Sequence, residues 1–196
     1  MRLFLAINIE PAVRRAIVDA TAPLRAAAPS LRWTDDSRLH LTLKFLGEQD
    51  ESVLPSLCQT MTDVARRHRG FVMRVGGSGG LGGVGGVGAF PNFRRARVVW
   101  IGVERDPRLE LLHHDVEVAC EAHGFEVEGR AFRPHLTLAR VNDRADVDEM
   151  RTLWRASKRV DFEGESDVQS IDVMKSTAAT GGSRYERLHA ATLRGH

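Results

Sequence analysis

Two short segments of this chain carry residue types that could act on one substrate together. Arg38-Leu39-His40-Leu41-Thr42-Leu43 is echoed by Arg133-Pro134-His135-Leu136-Thr137-Leu138, which sets His40 and His135 95 positions apart in a chain of 196 residues. A lone His-x-Thr is a pattern that chance supplies freely. A second copy with the same flanking arginine and leucines is an internal repeat. Alternating polar and apolar residues predict a strand, in which positions i and i+2 share a face about 7 Å apart. Each copy then turns an imidazole and a hydroxyl one way and two leucines the other, where helices can cover them.

Two imidazoles and two hydroxyls converging on a cleft suit a phosphodiester. With an unperturbed pKa near 6.5, a neutral imidazole can take a proton from water while a protonated one delivers a proton to the leaving oxygen. Thr42 and Thr137 can donate hydrogen bonds to non-bridging oxygens. The other histidines (His68, His113, His114, His123, His189 and His196) lack such a context and are read as solvated or structural.

The elements that must position these residues follow from periodicity. Leu3 to Ile7 predicts a first strand. Pro11 opens a helix with Val13, Ile17, Ala20 and Leu24 on one side. Leu31 to Thr34 is strand-like, and His40 to Leu46 forms a strand ended by Gly47. A helix is expected over about 50–69, then a strand from Phe71 to Val75, a glycine-rich run from Gly76 to Gly88, and a strand from Arg97 to Val103. Asp106-Pro107 starts a helix with Leu109, Leu112, Val116 and Ala119 inward, stopped by Gly124. Strands at Phe125–Val127 and Phe132–Val141, a helix over about 144–157, and strands near 160–163, 168–175 and 185–193 complete the reading. Strand, helix, strand, strand, helix, strand, then much the same again, predicts an α+β protein: one domain over 1–196 built from two similar halves.

Composition permits this reading without requiring it. Apolar residues make up 42% of the chain, enough for a core, and net charge is only +2, unlike proteins that coat nucleic acid. Of 28 Lys and Arg, only Lys44, Lys158 and Lys175 are lysines. Arginine suits phosphate because its planar fork donates two parallel hydrogen bonds, although coding bias explains the imbalance equally well. No run approaches the roughly 20 apolar residues of a membrane span. The N-terminus reads as a strand, not a signal peptide. Cys58 and Cys120 show neither disulfide nor zinc spacing, so a cytoplasmic location is expected.

The repeat resembles the two-histidine phosphoesterase superfamily, and in particular the RNA 2′,3′-cyclic phosphodiesterase family, once named 2′-5′ RNA ligase. His40-Leu41-Thr42-Leu43-Lys44-Phe45-Leu46-Gly47 is similar to that family's first motif. Leu3 to Ile7, Phe90-Pro91 before Val98-Val99-Trp100, and the tail Ser176, Gly182 and Tyr185 extend the likeness over nearly the whole chain. The resemblance implies a bilobal fold whose antiparallel sheets line a central cleft with helices outside. It also implies opening of 2′,3′-cyclic phosphates on RNA ends or nucleotides to a 2′-phosphate and a free 3′-hydroxyl. No metal or other cofactor and no obligatory protein partner is expected, and a monomer suffices. Carried onto this chain, the likeness makes His40 the acid for the 3′-oxygen and His135 the base for water. Arg140 takes a phosphate-binding position; its counterpart after His40 is Phe45, which could stack on a base or equally serve as a core residue. Strict alternation puts both of these on the face opposite the histidines, so each needs a bulge or strand end to reach the cleft. Ser176 and Tyr185 either help shape the pocket or are structural, the structural role being preferred.

Other signals carry less. Gly80-Leu81-Gly82-Gly83-Val84-Gly85 fits G-x-G-x-x-G but leads into Phe90-Pro91, not into a helix, so it is read as a loop or irregular strand. His113-His114 cannot share a helix face as i, i+4 ligands do. Arg94-Arg95-Ala96-Arg97 could steer an RNA backbone but equally forms a solvated edge. Two rival functions use the same cleft: a non-catalytic module binding RNA ends or nucleotides, and a ligase making 2′-5′ links by the reverse reaction.

Overall fold

The structure is a computed structural model that describes residues 1–77, 86–142, 145–180 and 182–195. The glycine pattern Gly80–Gly85, together with Arg144 and His196, lies outside the described residues. Strands are β1 (Arg2–Asn8), β2 (Arg32–Trp33), β3 (His40–Glu48), β4 (Phe71–Gly76), β5 (Val87–Phe90), β6 (Val98–Gly102), β7 (His135–Arg140), β8 (Glu163–Val168), β9 (Ser170–Ala179) and β10 (Gly182–Thr192). Helices are α1 (Pro11–Ala20), α2 (Ala22–Ala27), α3 (Leu54–Ala65), α4 (Pro107–Glu121) and α5 (Val147–Ser157).

One antiparallel sheet runs in the order β10-β9-β1-β3-β7-β6-β5, with β2 also pairing β7. Its two halves meet at a single bridge, Leu41 opposite Leu136. The halves exchange chain. After β4 the chain crosses to pair β5 with β6, and after β8 it crosses back to pair β9 with β1. Strands β4 and β8, one from each half, form a separate ribbon. The fold is thus the expected α+β arrangement of two matching antiparallel sheets, joined at their histidine strands.

The core lies behind the sheet. Leu3, Leu5, Ile7, Leu41, Leu43, Leu136, Leu138, Val99 and Ile101 from the strands are fully or nearly buried with Ile17, Leu57, Met61, Leu112, Val116 and Leu153 from the helices. Removing each large aliphatic side chain from water contributes about 1.5–3 kcal/mol, so this layer outweighs any single polar contact in the protein. The other face keeps a small cluster of Phe4, Ala6, Met174 and Tyr185. None of the described helices is long and apolar enough to cross a membrane.

Several local expectations change. The first helix breaks at Thr21 because Pro23 has no N–H to continue the ladder. Gly47 does not end β3; it sits within the strand at φ +70°, where a side chain would be strained. The end of the glycine run, from Val87, is strand β5. Residues 125–127 form no strand, since their backbone is committed elsewhere: Phe125 N–H donates to Cys120 O, and Glu126 O accepts from Lys44 Nζ. Strand β8 starts only at Glu163 and β7 only at His135. The Asp106 cap holds, its carboxylate accepting from Arg108 N–H, and the chain turns at Gly124 with φ +84°.

Candidate active site

The two histidine strands fold alike because their sequences pattern alike. From each histidine onward, residues run half-buried, buried, half-buried, buried, buried, exposed. The break in alternation comes from a bulge at the same place in both. Leu5 and Ala6 pair with Lys44 and Thr42, which leaves Leu43 without an opposite residue on β1. Val99 and Trp100 pair with Ala139 and Thr137, which leaves Leu138 without one on β6. One extra residue reverses the facing of everything after it. Phe45 and Arg140, five positions past each histidine, are thereby brought onto the histidine face.

The bridge between Leu41 and Leu136 sets the register across the seam. In an antiparallel pair it places position 40 across from 137 and position 42 across from 135, so each histidine faces the other motif's threonine. The two histidines are then diagonal neighbours, a relation that spans about 7–8 Å. All four side chains are half-buried, while Leu41, Leu43, Leu136 and Leu138 lie buried behind them.

Both imidazoles are held by the same device. Nδ1 of His40 lies 2.8 Å from Arg38 O, and Nδ1 of His135 lies 2.6 Å from Arg133 O. A carbonyl only accepts, so each Nδ1 carries the proton and Nε2 is left for chemistry. Aromatic rings from strands farther out in the sheet brace each imidazole, from β1 and β10 for His40 and from β6 and β5 for His135. Phe4 (5.0 Å) and Tyr185 (5.2 Å, edge-on) flank His40; Phe90 (4.9 Å, edge-on) and Trp100 (6.1 Å) flank His135. Gly88 makes room for the indole: a Cβ there would stand 2.2 Å from a Trp100 ring carbon.

Both histidines resist protonation. Burial pushes the His40 pKa down to about 4, and the Arg140 guanidinium and the His135 ring add to the depression against the carbonyl bond to Arg38. Burial likewise lowers His135, with Arg140 again contributing. Arg140 therefore acts electrostatically on both imidazoles, a cation at a site suited to an anion. Phe45 is 59% exposed, its ring 6.3 Å from Phe4 and open to a ligand.

Six residues expected from sequence (His40, Thr42, Phe45, His135, Thr137 and Arg140) thus share one face of the sheet. Sequence reasoning missed the brace formed by Phe4, Tyr185, Phe90 and Trp100; Tyr185, read as structural, lies against His40. The signal available was partial: Phe4, Trp100 and Tyr185 fall in predicted strands, whereas Phe90 lies between the glycine-rich run and the strand expected from Arg97. Four of the histidines set aside have structural partners. His68 meets Asp115 at 3.0 Å, His123 meets Thr60 at 2.6 Å, His189 meets Thr62 at 3.0 Å, and His113 stacks on Phe132.

A buried ion pair supports the site from behind. Lys44, turned to the core by the bulge, donates to Glu117 Oε2 and to Glu126 O, each at 2.7 Å. Glu117 also accepts from Glu128 N–H at 3.1 Å. Strand β3, helix α4 and the segment leading to Arg133 and His135 are tied through this one carboxylate.

Comparisons with known proteins point the same way. The family model described as 2′-5′ RNA ligase superfamily matches residues 10–180. An RNA 2′,3′-cyclic phosphodiesterase of Thermotoga maritima is 30% identical over 199 residues, covering 100% of this chain and 97% of its own. One of Methanothermobacter thermautotrophicus is 28% identical, covering 98% and 99%. Among solved structures, a protein of Thermus thermophilus superimposes with TM-score 0.78 at 29% identity over 100% of this chain and 99% of its own. Escherichia coli LigT complexed with 3′-AMP gives 0.73 at 26% identity over 98% and 97%.

Proposed function

The chain belongs to the 2′-5′ RNA ligase superfamily, and we propose that it is an RNA 2′,3′-cyclic phosphodiesterase acting through His40 and His135. The observation that carries this reading is the matched anchoring of two imidazoles, Nδ1 on a carbonyl and Nε2 free, in register with two threonines across one seam. Their equivalence allows the two in-line ends of a phosphoryl displacement to be served from opposite sides.

The reaction balances simply. One neutral Nε2 takes a proton as water attacks phosphorus; the P–O3′ bond breaks, and the other imidazolium gives its proton to O3′. The products are a 2′-phosphate and a 3′-hydroxyl, and the two histidines end with roles exchanged. Thr42 and Thr137 donate to the non-bridging oxygens, and Arg140 offsets the charge developing there. With His40 as the acid, as the family resemblance implies, its proton must arrive with the substrate, because a pKa near 4 leaves it neutral in the free protein. The phosphate's negative charge favours that uptake by offsetting Arg140. None of these steps requires a metal. The same inference extends to a cytoplasmic monomer whose two lobes arose by duplication, as the repeat and the exchanged strands suggest.

Phosphorus NMR on an RNA oligonucleotide ending in a 2′,3′-cyclic phosphate, in excess EDTA, tests the reading. The expected product is the 2′-phosphomonoester. A 3′-phosphate product, or turnover that stops when EDTA is added, would refute it; tight binding without turnover would favour a binding module instead.

A further inference from the structure

A cleft lined by Arg32, Trp33, Thr34, Arg38, Arg140 and the tip of β10 at Gly182–Ser183 adjoins His40 through Tyr185, which lines it and lies edge-on to that imidazole. The cleft is shallow and open to solvent, so it suits a group of a strand passing across it and not an enclosed ligand. Its electrostatics are unusual. Arg32 and Arg140 stand directly opposite one another on β2 and β7, an arrangement of like charges that destabilises a sheet. Among the described residues neither guanidinium has a carboxylate partner or hydrogen bond. Arg38 adds a third cation, held by Asp35 and by Ser183 O at 3.1 Å. Gly182 permits that reach, since a Cβ there would come within 2.7 Å of Arg38 Nη1. Trp33, paired with the buried Ala139, turns instead to the core, its indole N–H donating to Ala28 O and Arg25 lying over its ring at 5.2 Å.

We propose that this cleft is a subsite for the phosphodiester next to the cyclised end, with Arg32 and Arg38 on the phosphate. An anion there removes the repulsion between Arg32 and Arg140, and a guanidinium fork is suited to hold it. Arg140 belongs to both sites, so the internal phosphate sits within one side chain of the reacting one. The inference rests on the cyclic phosphodiesterase reading and adds its substrate class: a strand end is preferred over a cyclic mononucleotide.

The test compares kcat/KM for 2′,3′-cyclic AMP with that for a trinucleotide ending in a 2′,3′-cyclic phosphate. The wild-type protein should favour the trinucleotide roughly tenfold or more, as expected for one added charge-assisted contact. Arg32→Gln should remove most of that preference and flatten the salt dependence for the trinucleotide by about 0.7 in log–log slope. Arg32→Lys should keep the salt slope. Equal rates for the two substrates, or an Arg32→Gln loss that falls equally on both, would overturn the subsite. If neither substrate turns over, the catalytic reading fails by itself. Equilibrium binding of the 2′-phosphorylated trinucleotide then decides the subsite, which stands only if Arg32→Gln weakens it more than it weakens binding of 2′-AMP.

Discussion

The two halves of the groove hold the same reactive pair on different supports. Four positions past His40 stands Lys44, buried and paired with Glu117, and the next residue is the exposed Phe45. Past His135 the corresponding residues are the buried Ala139 and the exposed Arg140. Both halves carry the carbonyl-anchored imidazole, the threonine two residues on, and the bulge after it. The side chains that the bulge redistributes have diverged. On the proposed reading, one half offers a surface for a base and the other a charge for a phosphate, which sets a symmetric pair of imidazoles in an asymmetric site.

The largest effect should fall on what the halves share. His40→Ala and His135→Ala should each lower kcat/KM by about 10²- to 10⁴-fold, the usual contribution of a general acid or base. A deficit confined to one histidine would break the equivalence.

Next comes the support that only one half possesses. Lys44→Met leaves the Glu117 carboxylate buried without its partner and should cost about 3–5 kcal/mol in urea unfolding. Combining it with Glu117→Leu should recover most of that loss, since an apolar pair of similar volume is tolerated there. If the single substitution is neutral, the ion pair is not what ties α4 and β3 together.

The pH dependence sharpens the comparison further. The unfolded chain binds a proton at His40 near pH 6.5 and the folded one only near pH 4. Stability contributed by the neutral, buried imidazole is therefore present above pH 6.5 and is lost as pH falls toward 4. His40→Gln should flatten unfolding free energy across that window by at most about 3 kcal/mol, whatever its effect on absolute stability. The activity profile follows the same sign: kcat/KM, which reports the free protein, should peak below pH 6.5, and kcat should peak at higher pH because bound phosphate raises the acid's pKa.

The smallest effects separate the +5 residues. Arg140→Ala removes a charged contact and should cost roughly 1.5–3 kcal/mol in kcat/KM. Phe45→Ala removes one exposed stacking surface and should cost about 1 kcal/mol, and less on substrates lacking a base.

The residues of the site were legible in the sequence where local pattern sets position. His40, Thr42, His135 and Thr137 declare themselves by repetition, and strand alternation alone puts each pair on one face. Phe45 and Arg140 could be placed only through resemblance, because the bulges at Leu43 and Leu138 that turn them inward depend on how β1 and β6 pair, not on local propensity. The aromatic brace depends on the same non-local pairings. Residues 125–127 failed as a strand for a related reason: a buried lysine from a distant element claims their backbone. The exchange of β5 and β9 between halves leaves no local signature at all.

The central claim is that the two imidazoles serve one phosphorus atom as a unit. The most direct measurement is a double-mutant cycle: kcat/KM for the cyclic-phosphate trinucleotide with His40→Ala, His135→Ala and both together. Groups that act as a unit are strongly non-additive, so the double variant should be little worse than either single one. Losses that multiply, or full activity in either single variant, would show that the two histidines do not share a reaction.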